Sequence, residues 1–232
     1  MLNLRPARER GHANYGWLDT NHSFSFANYH DPAHMGFRDL RVINEDRVAP
    51  GAGFDAHPHR DMEIISYVLD GAMEHRDSLG VGSVIRRGEI QRMTAGTGIV
   101  HSEFNHSQEE PLHFFQIWIE PRQTGLEPGY EQKQIDPDKA RGNLHLIASP
   151  QGGDGAILIH QDVKIYTARL APGDEVRHAL SPRRHAWLQL ATGAVDLNGQ
   201  SMGKSDGVAV SEESELSIHA EQETELLLFD LA

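Results

Sequence analysis

The 232-residue sequence contains no cysteine and no run of about 18 apolar residues. The absence of cysteine excludes disulfides, zinc fingers, iron–sulfur clusters and thiol nucleophiles. The absence of a long apolar run excludes a membrane-spanning helix. The first 20 residues also lack the apolar segment that a secretory signal needs. We therefore expect a cytoplasmic protein that has no membrane partner.

Basic residues are also scarce, with 21 Lys+Arg against 34 Asp+Glu and a formal net charge of −13. Proteins that bind nucleic acid through a broad surface cluster lysine and arginine against the phosphates. This composition therefore argues against direct nucleic-acid binding. Histidine, by contrast, is abundant, since the chain contains 15 histidines and several of them lie between residues 57 and 113.

Short apolar runs separated by glycine, proline, asparagine and aspartate predict many short β-strands. The clearest runs are 40–44, 63–71, 89–96, 112–119, 144–149, 156–170, 186–193, 194–199 and 224–231. A helical apolar period is weak throughout, and only one or two short helices are expected within 121–143. The pattern predicts an all-β sandwich or barrel.

The segment 121–142 is rich in proline, glycine and charge, and it is the best candidate for a linker. A weak internal repeat supports two copies of one fold, because an Ala-Pro-Gly triplet and an apolar run ending in Gly-Ala occur in both halves. The two Gly-Ala pairs begin at Gly71 and Gly193. We therefore predict an N-terminal domain, 1–130, and a C-terminal domain, 131–232.

The sharpest chemical signal is the pair His57 and His59, followed about forty residues later by His101 and Glu103. Side chains two residues apart lie on the same face of a strand, so each pair can reach one ion. Three imidazoles and one carboxylate suit Fe(II), Mn(II), Co(II), Ni(II), Cu(II) or Zn(II). Glu63 either binds the metal or holds another group, and we favour a hydrogen bond to a ligand or an ion pair because Glu103 already supplies the carboxylate.

We expect structural or surface roles for ten further histidines, which are His12, His22, His30, His34, His75, His113, His160, His178, His185 and His219. We predict no metal site in the C-terminal half, because no second H-x-H pair occurs there. Gln116 is a candidate for a polar group that supports the site. Four apolar residues are candidates for a wall against a planar ligand, although core packing is the alternative for each: Phe24, Phe26, Met35 and Phe37.

The sequence resembles the cupin superfamily, because Gly51, His57, His59 and Glu63 match its first motif, G-x5-H-x-H-x3-E. Its closing glycine falls one residue late, at Gly71, and the second motif has Gly96 where proline is usual. Within the cupins the chain resembles the pirin family, in particular bacterial pirin-like proteins with quercetin 2,3-dioxygenase activity. This resemblance covers essentially the whole chain and rests mainly on 10–32, 35–44, 57–71, 94–105 and 112–119.

The resemblance implies a bicupin with two antiparallel β-barrels of the double-stranded β-helix (jelly-roll) type, packed face to face. It implies that only the N-terminal barrel binds metal, through His57, His59, His101 and Glu103. Ala179 and Ser181 stand where the second barrel would need its H-x-H pair, in agreement with an empty second site. The cofactor is expected to be one divalent transition metal ion, with iron favoured and Mn, Co, Ni, Cu or Zn as alternatives.

The leading hypothesis is a dioxygenase that opens the heterocyclic ring of a flavonol such as quercetin with O2 and releases CO. Glu103 is the expected catalytic residue, as the acceptor of the proton from the flavonol 3-hydroxyl. The expected partners are therefore a flavonol and O2, and the protein is expected to be a monomer. The alternative is a non-enzymatic, iron-dependent regulator of the pirin type that binds protein partners.

Overall fold

The computed structural model describes residues 1–153 and 155–232, and antiparallel β-strands make up most of them. The strands in chain order are β1 (Leu2–Arg5), β2 (Gly11–Asn14), β3 (Leu18–His22), β4 (Leu40–Val48), β5 (Gly53–His59), β6 (Glu63–Asp70), β7 (Ala72–Asp77), β8 (Gly82–Arg86), β9 (Glu89–Thr94), β10 (Ile99–Asn105), β11 (Leu112–Ile119), β12 (Gly129–Gln134), β13 (His145–Ser149), β14 (Ile157–Leu158), β15 (Val163–Leu170), β16 (Glu175–Ala179), β17 (His185–Thr192), β18 (Ala194–Leu197), β19 (Gln200–Gly203), β20 (Gly207–Val210), β21 (Glu215–Ala220) and β22 (Thr224–Leu231). One short helix, α1, spans Pro137–Ala140, and Asp136 caps it by accepting hydrogen bonds from Asp138 and Lys139. The all-β fold class is confirmed.

One compact unit contains Gly11–Gln134 and Ile157–Gln161. Its strands form a seven-stranded sheet in the order β12-β9-β6-β11-β4-β3-β2 and a four-stranded sheet in the order β5-β10-β7-β8. Strand β6 is buried along all but its last residue, and its interior residues include the polar Glu63 and Ser66 as well as apolar ones. The four-stranded sheet carries both predicted ligand pairs, on β5 and β10.

The other compact unit contains Met1–Arg10, Ile135–Ala156 and Asp162–Ala232. It has a large sheet in which strands follow the order β1-β20-β17-β22-β15-β13, and a four-stranded sheet in the order β16-β21-β18-β19. Its interior is a continuous apolar cluster of seventeen buried residues, such as Leu188, Leu190 and Leu228. The chain therefore contains two cupin-type units of antiparallel sheets, as predicted.

The internal repeat extends to the order of eight strands in each unit. Adding eleven to the strand numbers of β5-β10-β7-β8 gives β16-β21-β18-β19, and the same shift turns β9-β6-β11-β4 into β20-β17-β22-β15. Gly71 and Gly193 occupy equivalent turns, with φ of 77° and 80°. Only glycine adopts this backbone conformation at little cost, so the repeated Gly-Ala pair marks a repeated hairpin.

The segment 121–142 is more ordered than a linker, and that prediction was wrong in part. Residues Gly129–Gln134 form β12, which pairs with β9 along its whole length. This strand is polar and only partly buried, so the alternation that reveals a strand is absent. The predicted boundary between 1–130 and 131–232 stays a prediction; residues 1–10 group with the later part of the chain. Among the described residues, no helix is long and apolar enough to cross a membrane.

Candidate metal centre

The pairing of β5 with β10 brings three histidines together. His101 lies directly opposite His57 in this antiparallel pair, and His59 lies two residues further along β5 on the same face. The ring centroids are 4.5 Å apart for His57 and His101, 4.8 Å for His57 and His59, and 4.9 Å for His59 and His101. One nitrogen from each ring lies within 4.8 Å of the other two, so this triad could hold a metal ion.

Hydrogen bonds orient two of the three rings for metal binding. His57 Nδ1 lies 2.7 Å from the carbonyl oxygen of Asp55, and since a carbonyl only accepts, Nδ1 must donate. The lone pair of His57 is therefore on Nε2. Such a bond from the second ring nitrogen is the usual way that proteins fix the tautomer of a metal-binding histidine.

A longer hydrogen-bond chain orients His101. Its Nδ1 lies 3.5 Å from Nδ1 of His75, and Nε2 of His75 lies 2.9 Å from Oδ2 of Asp77. The carboxylate accepts, so His75 donates through Nε2 and offers a lone pair on Nδ1. His101 must then donate through Nδ1, which leaves the lone pair on its Nε2. The chain Asp77–His75–His101 thus prepares His101 as a ligand.

The state of His101 Nε2 fits a metal ion. This atom is buried and has no hydrogen-bond partner among the described residues. Burial, reinforced by the neighbouring histidines, lowers the pKa of His101 to about 2, and burial together with His57 lowers the pKa of His59 to about 4. Both rings are therefore neutral at physiological pH, which is the form that binds a divalent transition metal.

The carboxyl group of Glu103 is buried beside the triad and is firmly held. Ser66 Oγ donates to its Oε1 at 3.2 Å, and Gln116 Nε2 donates to its Oε2 at 2.7 Å. One of its oxygens lies within 4.8 Å of nitrogens of His75 and His101. Burial and, to a smaller extent, the nearby Asp46 raise the pKa of Glu103 to about 7, against the lowering effect of the hydrogen bonds from Ser66 and Gln116.

These supporting groups lie in one row across the seven-stranded sheet. His22, Asn44, Gln116 and Ser66 occupy paired positions on β3, β4, β11 and β6. His22 Nδ1 and Asn44 Oδ1 are 2.7 Å apart, and Ser66 Oγ lies 3.3 Å from Gln116 Oε1. A buried polar row of this kind is tolerated because its members bond to one another and to Glu103.

A cavity of about 230 Å³ lies against the row and the histidines. Its polar lining includes Thr20, His22, Asn44, Asp46, His57, His59, Glu103 and Gln116. Its aromatic and apolar lining includes Tyr15, Leu18, Phe26, Phe54 and Trp118. Mostly apolar walls with a few converging polar groups are typical of a small-molecule site.

Several predicted site residues take the positions that the sequence suggested. His57, His59 and His101 meet, and Gln116 supports Glu103 directly. The four-ligand set stays a prediction, because the structure groups Glu103 with His101 and His75 and does not group it with His57 and His59. Of the four candidate wall residues, only Phe26 lines the cavity; Phe24 is buried elsewhere and Met35 is 42% exposed.

Glu63 makes its contacts outside the triad. Its Oε2 accepts from the backbone nitrogen of His160 at 3.1 Å and lies 3.2 Å from the His160 ring and 4.0 Å from Arg92. These contacts agree with the ion pair that we favoured over metal binding. His113, expected to pack on its strand, also bonds to a carboxylate, at 2.9 Å from Glu45.

Three residues near the site were not predicted from the sequence to take part in it. His75 was expected to be only structural, His22 was expected at the surface or in a structural role, and Asp46 was not considered. All three are buried, and His22 and Asp46 line the cavity. The alternation of His75 with Asp77 resembles the H-x-E pair of β10 and was the one signal that could have revealed the chain to His101.

Comparisons with known proteins agree with this geometry. The family model described as Pirin matches residues 3–119, and the one described as Quercetinase C-terminal cupin domain matches residues 146–231. The chain is 48% identical over 231 residues to a quercetin 2,3-dioxygenase of Escherichia coli strain K12, covering 100% of this chain and 99% of that protein. It is 40% identical to a pirin-like protein of Caulobacter vibrioides, covering 100% of each chain.

Among solved structures, the bacterial pirin YhhW from Escherichia coli, in complex with nickel(II), superimposes with a TM-score of 0.95. The two sequences are 48% identical, and the match covers 100% of this chain and 99% of the other. Full-length similarity at this identity, together with the matched family models and the two repeated units, establishes the relationship. The chain belongs to the pirin family of bicupin proteins.

Proposed function

We propose that the protein is a quercetin 2,3-dioxygenase, which opens the heterocyclic ring of a flavonol with O2 and releases CO. The observation that carries the proposal is the histidine triad at a largely apolar cavity, in a chain 48% identical over its full length to a protein of that name. The cavity supplies both a wall for a planar ligand and a place for an ion.

We propose His57, His59, His101 and Glu103 as the metal ligands. The ion is one divalent transition metal, with iron favoured and Mn, Co, Ni, Cu or Zn as alternatives. The nickel(II) complex of the Escherichia coli pirin supports binding of a divalent ion by this family. When bound, the ion acts as a Lewis acid that polarises the substrate oxygen it contacts.

Glu103 is the proposed proton acceptor. Glu103 acts as the base when its carboxyl group is loosened from the metal. A general base works best when its pKa is close to the working pH, and in the metal-free protein the pKa of Glu103 is raised to about 7. Its two hydrogen bonds, from Ser66 and Gln116, aim the carboxyl group at the cavity. In this proposal Glu103 takes the proton of the flavonol 3-hydroxyl, and the cavity's aromatic lining excludes water from the resulting anion.

The test is turnover by protein loaded separately with Fe, Mn, Co, Ni or Cu. Oxygen uptake and loss of the quercetin absorbance are measured in air and under argon. We expect oxygen-dependent loss of quercetin with at least one metal, and its abolition in His57→Ala. His12→Ala is the matched control, because His12 is an exposed histidine that bonds to Asp19 outside the cavity.

Equal turnover in wild type and His57→Ala would reject the proposal, as would no turnover with any metal. In the latter case, metal-dependent capture of a defined protein partner would favour the regulatory alternative. We also propose that the protein is cytoplasmic and monomeric, with flavonol and O2 as its partners. Light scattering of the metal-loaded protein checks the oligomeric state.

A further inference from the structure

Asp46 places a carboxyl group at the apolar end of the cavity. It lies opposite Thr20 on β3 and Phe114 on β11, one row beyond the polar row that holds Glu103. The next row along the same strands is Leu18, Val48 and Leu112. Those residues and Phe114 belong to one buried apolar cluster, and Phe54 packs against it. Asp46 and its hydrogen-bond partner Thr20 are thus the polar residues beside this apolar cluster, and Asp46 is the one that carries a carboxyl group.

One oxygen of Asp46 lacks a protein partner. Thr20 donates a hydrogen bond to the Asp46 side chain, yet Oδ1 has no hydrogen-bond partner among the described residues. The residue is only 3% exposed and lines the cavity. A buried polar atom without a partner is costly, and native proteins keep few of them. An oxygen of this kind at the wall of a ligand cavity is expected to be satisfied by the ligand.

Two other unpartnered atoms, one in the cavity wall and one in the adjacent histidine triad, differ in kind. His101 Nε2 suits a metal ion, and Trp118 Nε1 is a buried donor. Asp46 Oδ1 is an acceptor placed among Leu18, Phe54 and Phe114, and therefore suits a hydroxyl group carried by an otherwise apolar molecule. Phenolic hydroxyls on an aromatic ring have this chemistry, since the ring packs against apolar side chains while the O–H donates.

We propose that Asp46 binds a phenolic hydroxyl of the substrate at the apolar end of the cavity and so selects substrates by their hydroxylation pattern. This inference rests on the proposed function for the class of substrate, and it concerns a hydroxyl other than the one that reaches Glu103. Asp46 is a positioning residue, because it contacts the substrate away from the bond that breaks.

The protonation of Asp46 is compatible with this role. Burial and, to a smaller extent, the charge of Glu45 raise its pKa to about 7, against the lowering effect of the hydrogen bond from Thr20. Near neutral pH the Asp46 carboxyl group can therefore accept a hydrogen bond in its ionised form or donate one in its protonated form. Either arrangement pairs with a phenol, which is both a donor and an acceptor.

The experiment compares two flavonols, quercetin and 3-hydroxyflavone, which lacks every hydroxyl except the one beside the ring carbonyl. Turnover constants are measured in air, and dissociation constants are measured under argon by titration of the metal-loaded protein. The variants are Asp46→Asn, which keeps the size and the bond from Thr20, and Asp46→Leu. Glu45→Gln is the matched control, because Glu45 lies on the same strand but bonds to His113 and Arg47 and does not line the cavity.

We expect Asp46→Leu to weaken binding of quercetin by about tenfold, for the loss of one buried hydrogen bond, and to leave 3-hydroxyflavone within about twofold. Asp46→Asn should weaken quercetin binding less, because its NH2 group can still donate to the phenol oxygen. The change should appear in KM and in the dissociation constant more than in kcat. Glu45→Gln should leave the ratio between the two flavonols unchanged. A general loss of structure would weaken both ligands together, so the ratio separates positioning from folding.

An unchanged ratio in Asp46→Asn and Asp46→Leu, with quercetin still turned over by wild type, overturns the inference and leaves the proposed function intact. Failure of wild type to turn over either flavonol defeats the proposed function. The argon titration then still decides the inference, because a selective loss of quercetin binding supports the Asp46 subsite and equal binding refutes it.

Discussion

The hydrogen-bond chain from Asp77 through His75 to His101 predicts that Asp77→Asn weakens metal binding without changing any proposed ligand. Oδ1 of Asp77 accepts the backbone N–H groups of Leu79 and Val81, at 2.9 and 3.1 Å. An asparagine must therefore keep its oxygen there and place its NH2 group at the position of Oδ2. That group donates to His75 Nε2, where the carboxylate accepted.

The change of hydrogen-bond direction at residue 77 also reverses the hydrogen bond between His75 and His101. His75 would carry its proton on Nδ1 and donate to His101, which would then carry its own proton on Nε2, the atom needed for the metal. To bind an ion, the variant must break one buried hydrogen bond, at a cost of about 1–3 kcal/mol. We therefore expect the affinity for nickel(II) to fall roughly 10- to 100-fold, the range typical of groups that orient metal ligands.

Competition with a chelator of known affinity measures this effect at neutral pH, and the melting temperature of the metal-free protein shows whether folding is intact. Tyr130→Phe is the matched control, since the Tyr130 ring lies 4.8 Å from that of His75 but its hydroxyl bonds to Gln132, at 2.8 Å, and to Ser83. His75→Gln should bind more tightly than His75→Leu, because an amide both donates and accepts. Wild-type affinity in a folded Asp77→Asn protein would refute the assigned tautomers.

Two further predictions concern proton release and backbone conformation. Because the pKa of Glu103 is raised to about 7, metal binding below that pH must displace its proton. The affinity for nickel(II) should therefore rise with pH up to about 7, and wild type should release one more proton per bound ion than Glu103→Gln. Calorimetry in buffers of different ionisation enthalpy counts these protons, and equal release in both proteins would contradict a ligating Glu103. Gly193→Ala should lower the melting temperature more than Gly71→Ala. A Cβ at 193 would clash with Glu223 O, Thr224 Oγ1 and Thr224 Cα, the first two more closely than any atom at 71, whereas at 71 only Pro111 O, at 2.7 Å, comes within 3.0 Å. Equal melting temperatures would show that the two turns relax alike.

The strands and the ligand pairs could be predicted because each depends on a local pattern. The runs 112–119 and 224–231 coincide with β11 and β22, whose apolar residues are buried on both faces. The parity of His57 with His59 follows from the two-residue repeat of any strand. No knowledge of the partner strand is needed for either prediction.

The supporting residues could not be predicted because they depend on register between distant strands. Asp46 and Glu45 are adjacent acids in the sequence, yet one lines the cavity and the other bonds to His113 on the opposite face. The bulge between His101 and Glu103, where β10 slips against β5, is likewise a property of the pair of strands. The sequence pattern of a single strand shows neither the cavity-lining position of Asp46 nor the bulge in β10.

The second unit shows what the same scaffold does without this chemistry. Aligned through Gly71 and Gly193 and through the strand registers, Ser66 corresponds to Leu188, His75 to Leu197, Gln116 to Leu228 and Glu103 to Ile218. All four replacements are fully buried in one apolar cluster.

A cupin interior of this topology therefore packs well with leucine and isoleucine. Burying polar groups in their place lowers stability unless every group finds a partner. In the first unit the polar groups of the row bond to one another and to Glu103. Several buried side-chain atoms among the described residues have no hydrogen-bond partner, and they include His101 Nε2, Asp46 Oδ1, Trp118 Nε1, Glu63 Oε1 and both polar atoms of Gln91. Asp46 and Trp118 line the cavity, and His101 belongs to the histidine triad beside it. Two of these unsatisfied atoms, His101 Nε2 and Asp46 Oδ1, therefore lie where we assign the ion and the substrate.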